Sequence, residues 1–376
     1  MAEPELCQTC GVPVLVGSVF DWSDMGLIRI PNNPKGRMVF FESAYIDSIF
    51  KGITEIIGIS IEHIAMERKR RDTKRFMEKI FPEQVKKLDE IFGGERPNHI
   101  SDLSKNRRDD VLEMGNMVNY QATTVGMVYG YGNIRFSNLW EFWDSFPWRN
   151  QIIRNPYSIT FFSADMLGTI EAFERQDMRV RYEEVSDSAY LLSVRPGPHP
   201  IGLKDRLKVK RYELKPGDIT YKRCSECGTP DEIGQCHWNL PEGTIIDPET
   251  GRRMSIFDPS AMDTVFEDLE NELGETIMDV IIEAQRRFGK ANMNAEGWKR
   301  SGYDFKSWAA IRGLGNITHF KADEKRLALT VENPCMHLAQ IGTAQALYEL
   351  AWGAENSKHE WYRSADGDLH IEVSLS

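Results

Sequence analysis

The sequence predicts an α+β fold built from two pseudo-symmetric repeats, each a cysteine knuckle, amphipathic helices and a small antiparallel sheet. Three observations predict it. Cys7, Cys10, Gly11 and Pro13 recur as Cys224, Cys227, Gly228 and Pro230, an internal repeat. Ile46, Ile49, Phe50, Ile53 and Ile57 answer Met262, Val265, Phe266, Leu269 and Leu273, and in each copy they fall at i, i+3, i+4, i+7 and i+11, the stripe of an amphipathic helix. Each copy then closes on alternating runs, Val180 to Tyr182 and Tyr190 to Val194 in the first, Glu360 to Tyr362 and Leu369 to Val373 in the second, as strands do.

The remaining elements follow in order. Gly58 and Gly274 stand just past the last apolar position of the first helices, where a glycine ends a helix at little cost. A second helix carries Ile61, Ile64 and Glu67 before Arg70 and Arg71, and Ile277, Val280 and Glu283 before Arg286 and Arg287. Further on, Gly130, Gly132, Asn133 and Ile134 resemble Gly313, Gly315, Asn316 and Ile317. This is no dinucleotide fingerprint, because the third glycine and the strand–turn–helix context are missing, and it reads as a strand end needing a permissive backbone. Asn155-Pro156 answers Asn333-Pro334, and each pair precedes a helix-length run, Phe161 to Phe173 and Leu338 to Trp352, with Glu171 and Glu349 in the same place. The first repeat spans 1–217 and carries an insertion at about 82–116, rich in Lys, Arg, Asp and Glu, that reads as a solvated helical arm; the second spans 218–376. The charged stretch from Leu203 to Gly217 reads as the junction.

Composition narrows the function. The chain has 376 residues, 41% of them apolar and 27% charged, with a formal net charge of -11 that would repel a nucleic acid over most of the surface. The N-terminus has neither the basic start nor the apolar run of a signal peptide, and no apolar stretch approaches spanning length, so a cytoplasmic protein without a membrane partner is expected. Four of the six cysteines stand in two C-x-x-C pairs, and in a reducing compartment such pairs are metal or redox ligands rather than a disulfide framework. A C-x-x-C-G-x-P knuckle puts two thiolates on a tight turn, and two knuckles complete a tetrahedral site. Cys7, Cys10, Cys224 and Cys227 are therefore the candidate ligands of one structural zinc bridging the halves. Cys224, Cys227 and Cys236 with His237 form the rival set, and free thiols the third alternative. A thioredoxin-like pair is disfavoured, since neither motif opens a helix after an apolar strand.

His63 and Glu67 share a helix face at i, i+4 and are the candidate catalytic pair, with proton transfer as their chemistry; a structural role is the alternative. The run from Arg68 to Arg71 suits a phosphate or carboxylate partner or, more simply, a solvated helix face. Nine tryptophans are present, and Trp140, Trp143 and Trp148 lie in one dense aromatic stretch suited to lining an apolar pocket, as candidate ligand-binding residues, or to filling a core.

The segment from Leu327 through Asn333, Pro334, Gly342, Glu349 and Gly353 to Asp366, Gly367, Asp368 and Val373 resembles the 4-vinyl reductase domain of the hydrocarbon-binding superfamily, and Asn155 to Val194 is similar in a more diverged form. That family includes sensor modules for aromatic compounds and proteins of bacteriochlorophyll biosynthesis. Its members often carry zinc-ligating cysteines in the final hairpin; here that turn holds Gly367, Asp368 and His370 and no cysteine. The resemblance implies a small apolar or aromatic ligand held between helices and a sheet. The function expected is thus a zinc-containing binding or accessory protein for an aromatic or other apolar compound, or its acyl thioester, as a homo-oligomer or beside an enzyme partner. A lyase or reductase acting on such a compound is the alternative, and a structural scaffold subunit a further one.

Overall fold

The computed structural model describes residues 4–31, 33–94, 97–136, 146–199, 214–294 and 305–375. In chain order the elements are α1 (Val14–Val19), β1 (Asp21–Ser23), β2 (Leu27–Ile30), β3 (Asn33–Glu42), α2 (Ala44–Ile57), α3 (Glu62–Ile80), α4 (Pro82–Phe92), α5 (Lys105–Val128), β4 (Asn133–Phe136), β5 (Asn150–Arg154), α6 (Ile159–Glu174), β6 (Met178–Ser186) and β7 (Ala189–Pro196). There follow α7 (Asp231–Gly234), β8 (His237–Asn239), β9 (Thr244–Ile246), β10 (Arg253–Phe257), α8 (Ser260–Leu273), α9 (Thr276–Asn292), α10 (Phe305–Ile311), β11 (Asn316–Ala322), β12 (Arg326–Glu332), α11 (His337–Trp352), β13 (Ser357–Arg363) and β14 (Leu369–Leu375). The fold is α+β, with antiparallel sheets, and the strands expected at the end of each copy fall in β6, β7, β13 and β14.

The chain packs as two compact units, and neither is contiguous. The described part of the first comprises 4, 62–94, 97–136, 146–199 and 238–245; that of the second comprises 5–31, 33–61, 214–237, 246–294 and 305–375. These units cut across the repeat boundary at residue 217. The hairpin of β1 and β2 lies in the second unit, where Gly315 N donates to Gly26 O at 3.1 Å. The loop between β8 and β9 lies in the first, where Gly132 N donates to Gly243 O at 2.9 Å. The segments around the matched Gly26 and Gly243 are thus each packed with residues of the opposite sequence copy.

Within each unit a four-stranded antiparallel sheet has the same connectivity, β4-β5-β7-β6 in the first and β11-β12-β14-β13 in the second. The helix inserted between the second and third strands in chain order, α6 or α11, is apolar almost all round and buried along most of its length, as a core helix must be. It packs on α3 in the first unit and on α9 in the second. The predicted stripe is buried at Ile46, Ile49, Phe50 and Ile53 and at Met262, Val265, Phe266 and Leu269; Leu273 is exposed.

Two expectations of solvated charge are corrected. Arg68 and Arg70 are 1% and 5% exposed, so the basic run is no solvated face. A buried guanidinium must be paired, and Arg70 grips Glu67 with two bonds, Nε to Oε2 at 3.0 Å and Nη2 to Oε1 at 2.7 Å, and reaches Glu171 with Nη1. The second unit repeats the arrangement: Arg286 holds Glu283 at 2.7 and 3.1 Å and Glu349 at 2.7 Å. The arm at 82–116 is helical but packed, since Val85, Leu88, Phe92, Ile100, Leu103, Val111 and Met114 form a core with Phe146 and Phe173. Its apolar residues recur at helical spacing beneath the charges, which is why a count of charge hides them.

Candidate metal centre

Both knuckles close by the same backbone bonds. Cys7 N donates to Val12 O at 2.8 Å and Gly11 N to Cys7 O at 2.9 Å; Cys224 N donates to Thr229 O at 2.9 Å and Gly228 N to Cys224 O at 3.0 Å. Gly11 and Gly228 both have φ +75°, the left-handed region that explains a glycine after each second cysteine. The short helix after each knuckle then packs against the other knuckle. A Cβ at Gly17 of α1 would collide with the carbonyl of Cys227, and one at Gly234 of α7 would press on Cys10.

This interlocking brings four sulfurs together in the second unit. Cys7 Sγ lies 3.6 Å from Cys224 Sγ and Cys10 Sγ lies 3.5 Å from Cys227 Sγ, and all four fall within 4.8 Å of one another. Those distances are far longer than a disulfide, about 2.05 Å. They are close to the separation of roughly 3.8 Å between sulfurs placed tetrahedrally around an ion at about 2.3 Å. The geometry can hold a metal ion.

The surroundings favour the thiolate at Cys224 and oppose it by burial at Cys7 and Cys10. The backbone N–H groups of Cys227 and Glu226 draw the Cys224 thiol down to about 7, while burial pushes Cys10 up to about 12. Four sulfurs this close ionise together only around a cation. Thr229, 1% exposed, places its hydroxyl 3.0 Å from Cys227 Sγ. Glu226 spans the knuckles, accepting from Thr9 N at 3.0 Å, Thr9 Oγ1 at 2.7 Å and Gln8 N at 3.2 Å, and these bonds hold its carboxyl below the usual range. Cys236 lies outside the four-sulfur group; its thiol faces Glu232 O at 3.9 Å and burial pushes it up to about 12, while His237 is exposed.

The other candidates scatter. His63 is exposed on α3, whereas Glu67 is buried with its oxygens held by Arg70 and by Arg71 Nε at 2.7 Å. The imidazole nearest Glu67 is that of His199, with Nδ1 at 3.9 Å from Oε2. Trp140 and Trp143 lie outside the described residues. Trp148 stacks on Phe146 at 5.0 Å, lies over Gly115 of α5 and donates its N–H to Glu174 at 3.0 Å, a core position in the first unit.

The second unit contains a small apolar cavity of about 20 Å³ between α11, α10 and the sheet, lined among others by Phe41, Phe305, Trp308, Leu329, Met336 and Ile371. That volume suffices for about one water. Gln340 and Thr343 are its polar members, and Gln340 Nε2 is already bonded to Leu314 O at 2.8 Å and Cys335 O at 2.7 Å. Phe305 and Trp308 stack at 5.1 Å and form one wall. Among the described residues the tryptophan that lines the cavity is Trp308. Among the described residues no helix is long and apolar enough to cross a membrane. No protein-family model matches this chain, and no curated protein does.

Proposed function

We propose that the protein binds one structural zinc ion at Cys7, Cys10, Cys224 and Cys227, and uses the scaffold so fixed to take a small aromatic or other apolar molecule into the second unit. The four-sulfur cluster is the observation that carries the zinc. All-thiolate tetrahedral donor sets select zinc or iron, and a site closed by four protein ligands has the form of a structural rather than a catalytic centre. For the ligand, the support is the apolar cavity beneath α11, lined partly by the segment that resembles the 4-vinyl reductase domain and partly by Phe41, Phe305 and Trp308 outside it. A cavity of one-water size admits an aromatic ring only if its wall gives way, so binding displaces the stacked pair Phe305 and Trp308.

Two measurements test this. Metal analysis of the purified chain should find zinc, with Cys7→Ser and Cys224→Ser each losing it; full retention by Cys7→Ser alone would favour a set containing Cys236. Benzoate, phenol, toluene-like and acyl-thioester compounds should then be screened by thermal shift and tryptophan fluorescence. A binder at a hundred times its Kd stabilises by about 2.7 kcal/mol. Ala339→Phe, which fills the cavity, should abolish that shift. A panel with no active member leaves the zinc-held fold as a scaffold.

A further inference from the structure

Besides the four cysteines, one other group of described side chains brings metal-type donors together, and it lies wholly in the first unit. Glu171 Oε1, Asp177 Oδ1 and His199 Nε2 fall within 4.8 Å of one another. Glu171 is on the last turn of α6, Asp177 is in the short turn to β6, and His199 follows β7 on a tail of alternating prolines. That tail is tied back over the turn by Gly197 N, which donates to Asp177 O at 3.0 Å, and by Arg179 Nε, which donates to Pro198 O at 2.6 Å.

His199 separates this cluster from an ordinary ion pair. Its side chain is 7% exposed, and Nε2 lies 2.7 Å from Glu171 Oε1 and 3.6 Å from Asp177 Oδ1. Nε2 thus lies between the two carboxylates, paired with Glu171 and within reach of Asp177. A buried ring nitrogen aimed between two carboxylates offers its lone pair to an ion once its proton is displaced, with both carboxylates at hand as further ligands. The other nitrogen, Nδ1, lies 3.9 Å from Glu67 Oε2, beyond hydrogen-bond distance.

The division of Glu171 fits. Its Oε2 takes Arg70, with Lys74 Nζ at 3.7 Å, while Oε1 accepts the N–H of Met178 at 3.0 Å and faces His199 Nε2 at 2.7 Å. Asp177 is 48% exposed and supplies the entry path. In the second unit the matching carboxylate, Glu349, meets the Ser357 hydroxyl at 2.7 Å on Oε1 instead.

The geometry points to a second metal site at Glu171, Asp177 and His199, for a first-row divalent ion such as zinc, with one imidazole and two carboxylates as ligands and its remaining positions left to water. The site is independent of the four-cysteine centre.

Full-length protein should be dialysed against Co2+ and its metal counted. Cobalt at four thiolates gives intense sulfur-to-metal bands; cobalt at nitrogen and oxygen gives only weak visible ones, so each centre is seen separately. Wild type should bind one ion of the weak-band type, and His199→Ala and Asp177→Asn should each weaken it at least tenfold without changing the sulfur bands. Asp177 is half exposed, so Asp177→Asn decides the matter even if His199→Ala misfolds. Absence of any saturable weak-band ion in wild type, or its retention in Asp177→Asn and His199→Ala, would overturn the proposal. So would a His199→Ala protein that only melts lower with an unchanged metal count, since His199 would then be a counter-ion of Glu171. Loss of the sulfur bands alone would count against the zinc centre and leave this site standing.

Discussion

The two units share a frame and differ in what fills it. Counting from Asn155 in the first and Asn333 in the second, the sixteenth residue is Glu171 or Glu349, and both are fully buried and gripped by an arginine from the neighbouring helix. The sixth residue is Phe161 in the first unit and Ala339 in the second; the tenth is Asp165 or Thr343. Around Asp165 the first unit builds a polar plug: Thr73 Oγ1 at 2.5 Å, Lys69 Nζ at 3.0 Å and Tyr157 Oη at 2.8 Å all converge on it. At Thr343 the second unit has one bond, from Gln285 Nε2 at 2.8 Å, and Ala339 and Thr343 line the cavity. The carboxylate–arginine lattice that pins the helices is common to both units, and the difference lies in the side chains roughly two and three turns away. Buried charge here fixes the frame, and bulk decides whether space is left inside it.

The largest expected effect separates the units by the metal. The sulfurs all belong to the second unit, and structural zinc contributes about 10–16 kcal/mol of folding free energy in small zinc-binding peptides. A strong chelator should therefore collapse the second unit's melting transition while the first unit's changes little, as followed by calorimetry and hydrogen exchange. Loss of protection in α3 and α6 at the same chelator concentration as in α9 and α11 would break the distinction.

Next come the carboxylates. Removing one partner of a buried ion pair leaves the other uncompensated and costs about 3–5 kcal/mol. Glu171→Ala should lie at the upper end of that range, because Arg70 is 6% exposed; Glu349→Ala should cost less, because Arg286 at 14% reaches water more easily. Urea denaturation of both variants ranks them, and equal losses would show that exposure of the arginine is not what matters. The filling residues sharpen the comparison further. Phe161→Ala should cost about 3–5 kcal/mol and open a cavity in the first unit. Ala339→Phe, the reciprocal change, should cost only about 1–3 kcal/mol, as overpacking of a site that already has some space.

Much of this was legible in the sequence, and what was not has a physical reason. The knuckles are local, so their four cysteines and two glycines could be read off directly, as could the helix and strand runs after each Asn-Pro pair. Glu67 and Glu283, matched in the sequence, each pair with the arginine three residues on. Which sheet each hairpin packs on was not legible, because the matched sequence segments are alike and self-similarity cannot say which one Gly26 or Gly243 meets. The burial of Arg68 and Arg70 was hidden because a run of four basic residues looks solvated until its acidic partners arrive from another helix. His199 gave no signal at all: it sits in a proline tail, and only the fold brings it to Glu171 from 28 positions away in sequence.

The smallest expected effect is a pH dependence of the second unit. His359 on β13 lies against α11 with Nδ1 3.1 Å from Gln345 Oε1, and burial lowers its pKa below the ordinary 6.5; the nearby Asp279 carboxylate, 3.8 Å from Nε2, only partly opposes this. The folded state thus prefers the neutral ring, and the unfolded chain binds the proton more readily. Stability from this group is present above pH 6.5 and is lost as pH falls through the lowered folded value. The melting temperature should accordingly drop slightly between pH 7.5 and 5, in the transition assigned to the second unit. His359→Gln keeps a hydrogen-bonding side chain and removes the titration, so it should flatten that slope. An unchanged slope would assign the pH dependence to another group, and a slope of opposite sign would mean that Asp279 outweighs burial and the ring is charged in the folded protein.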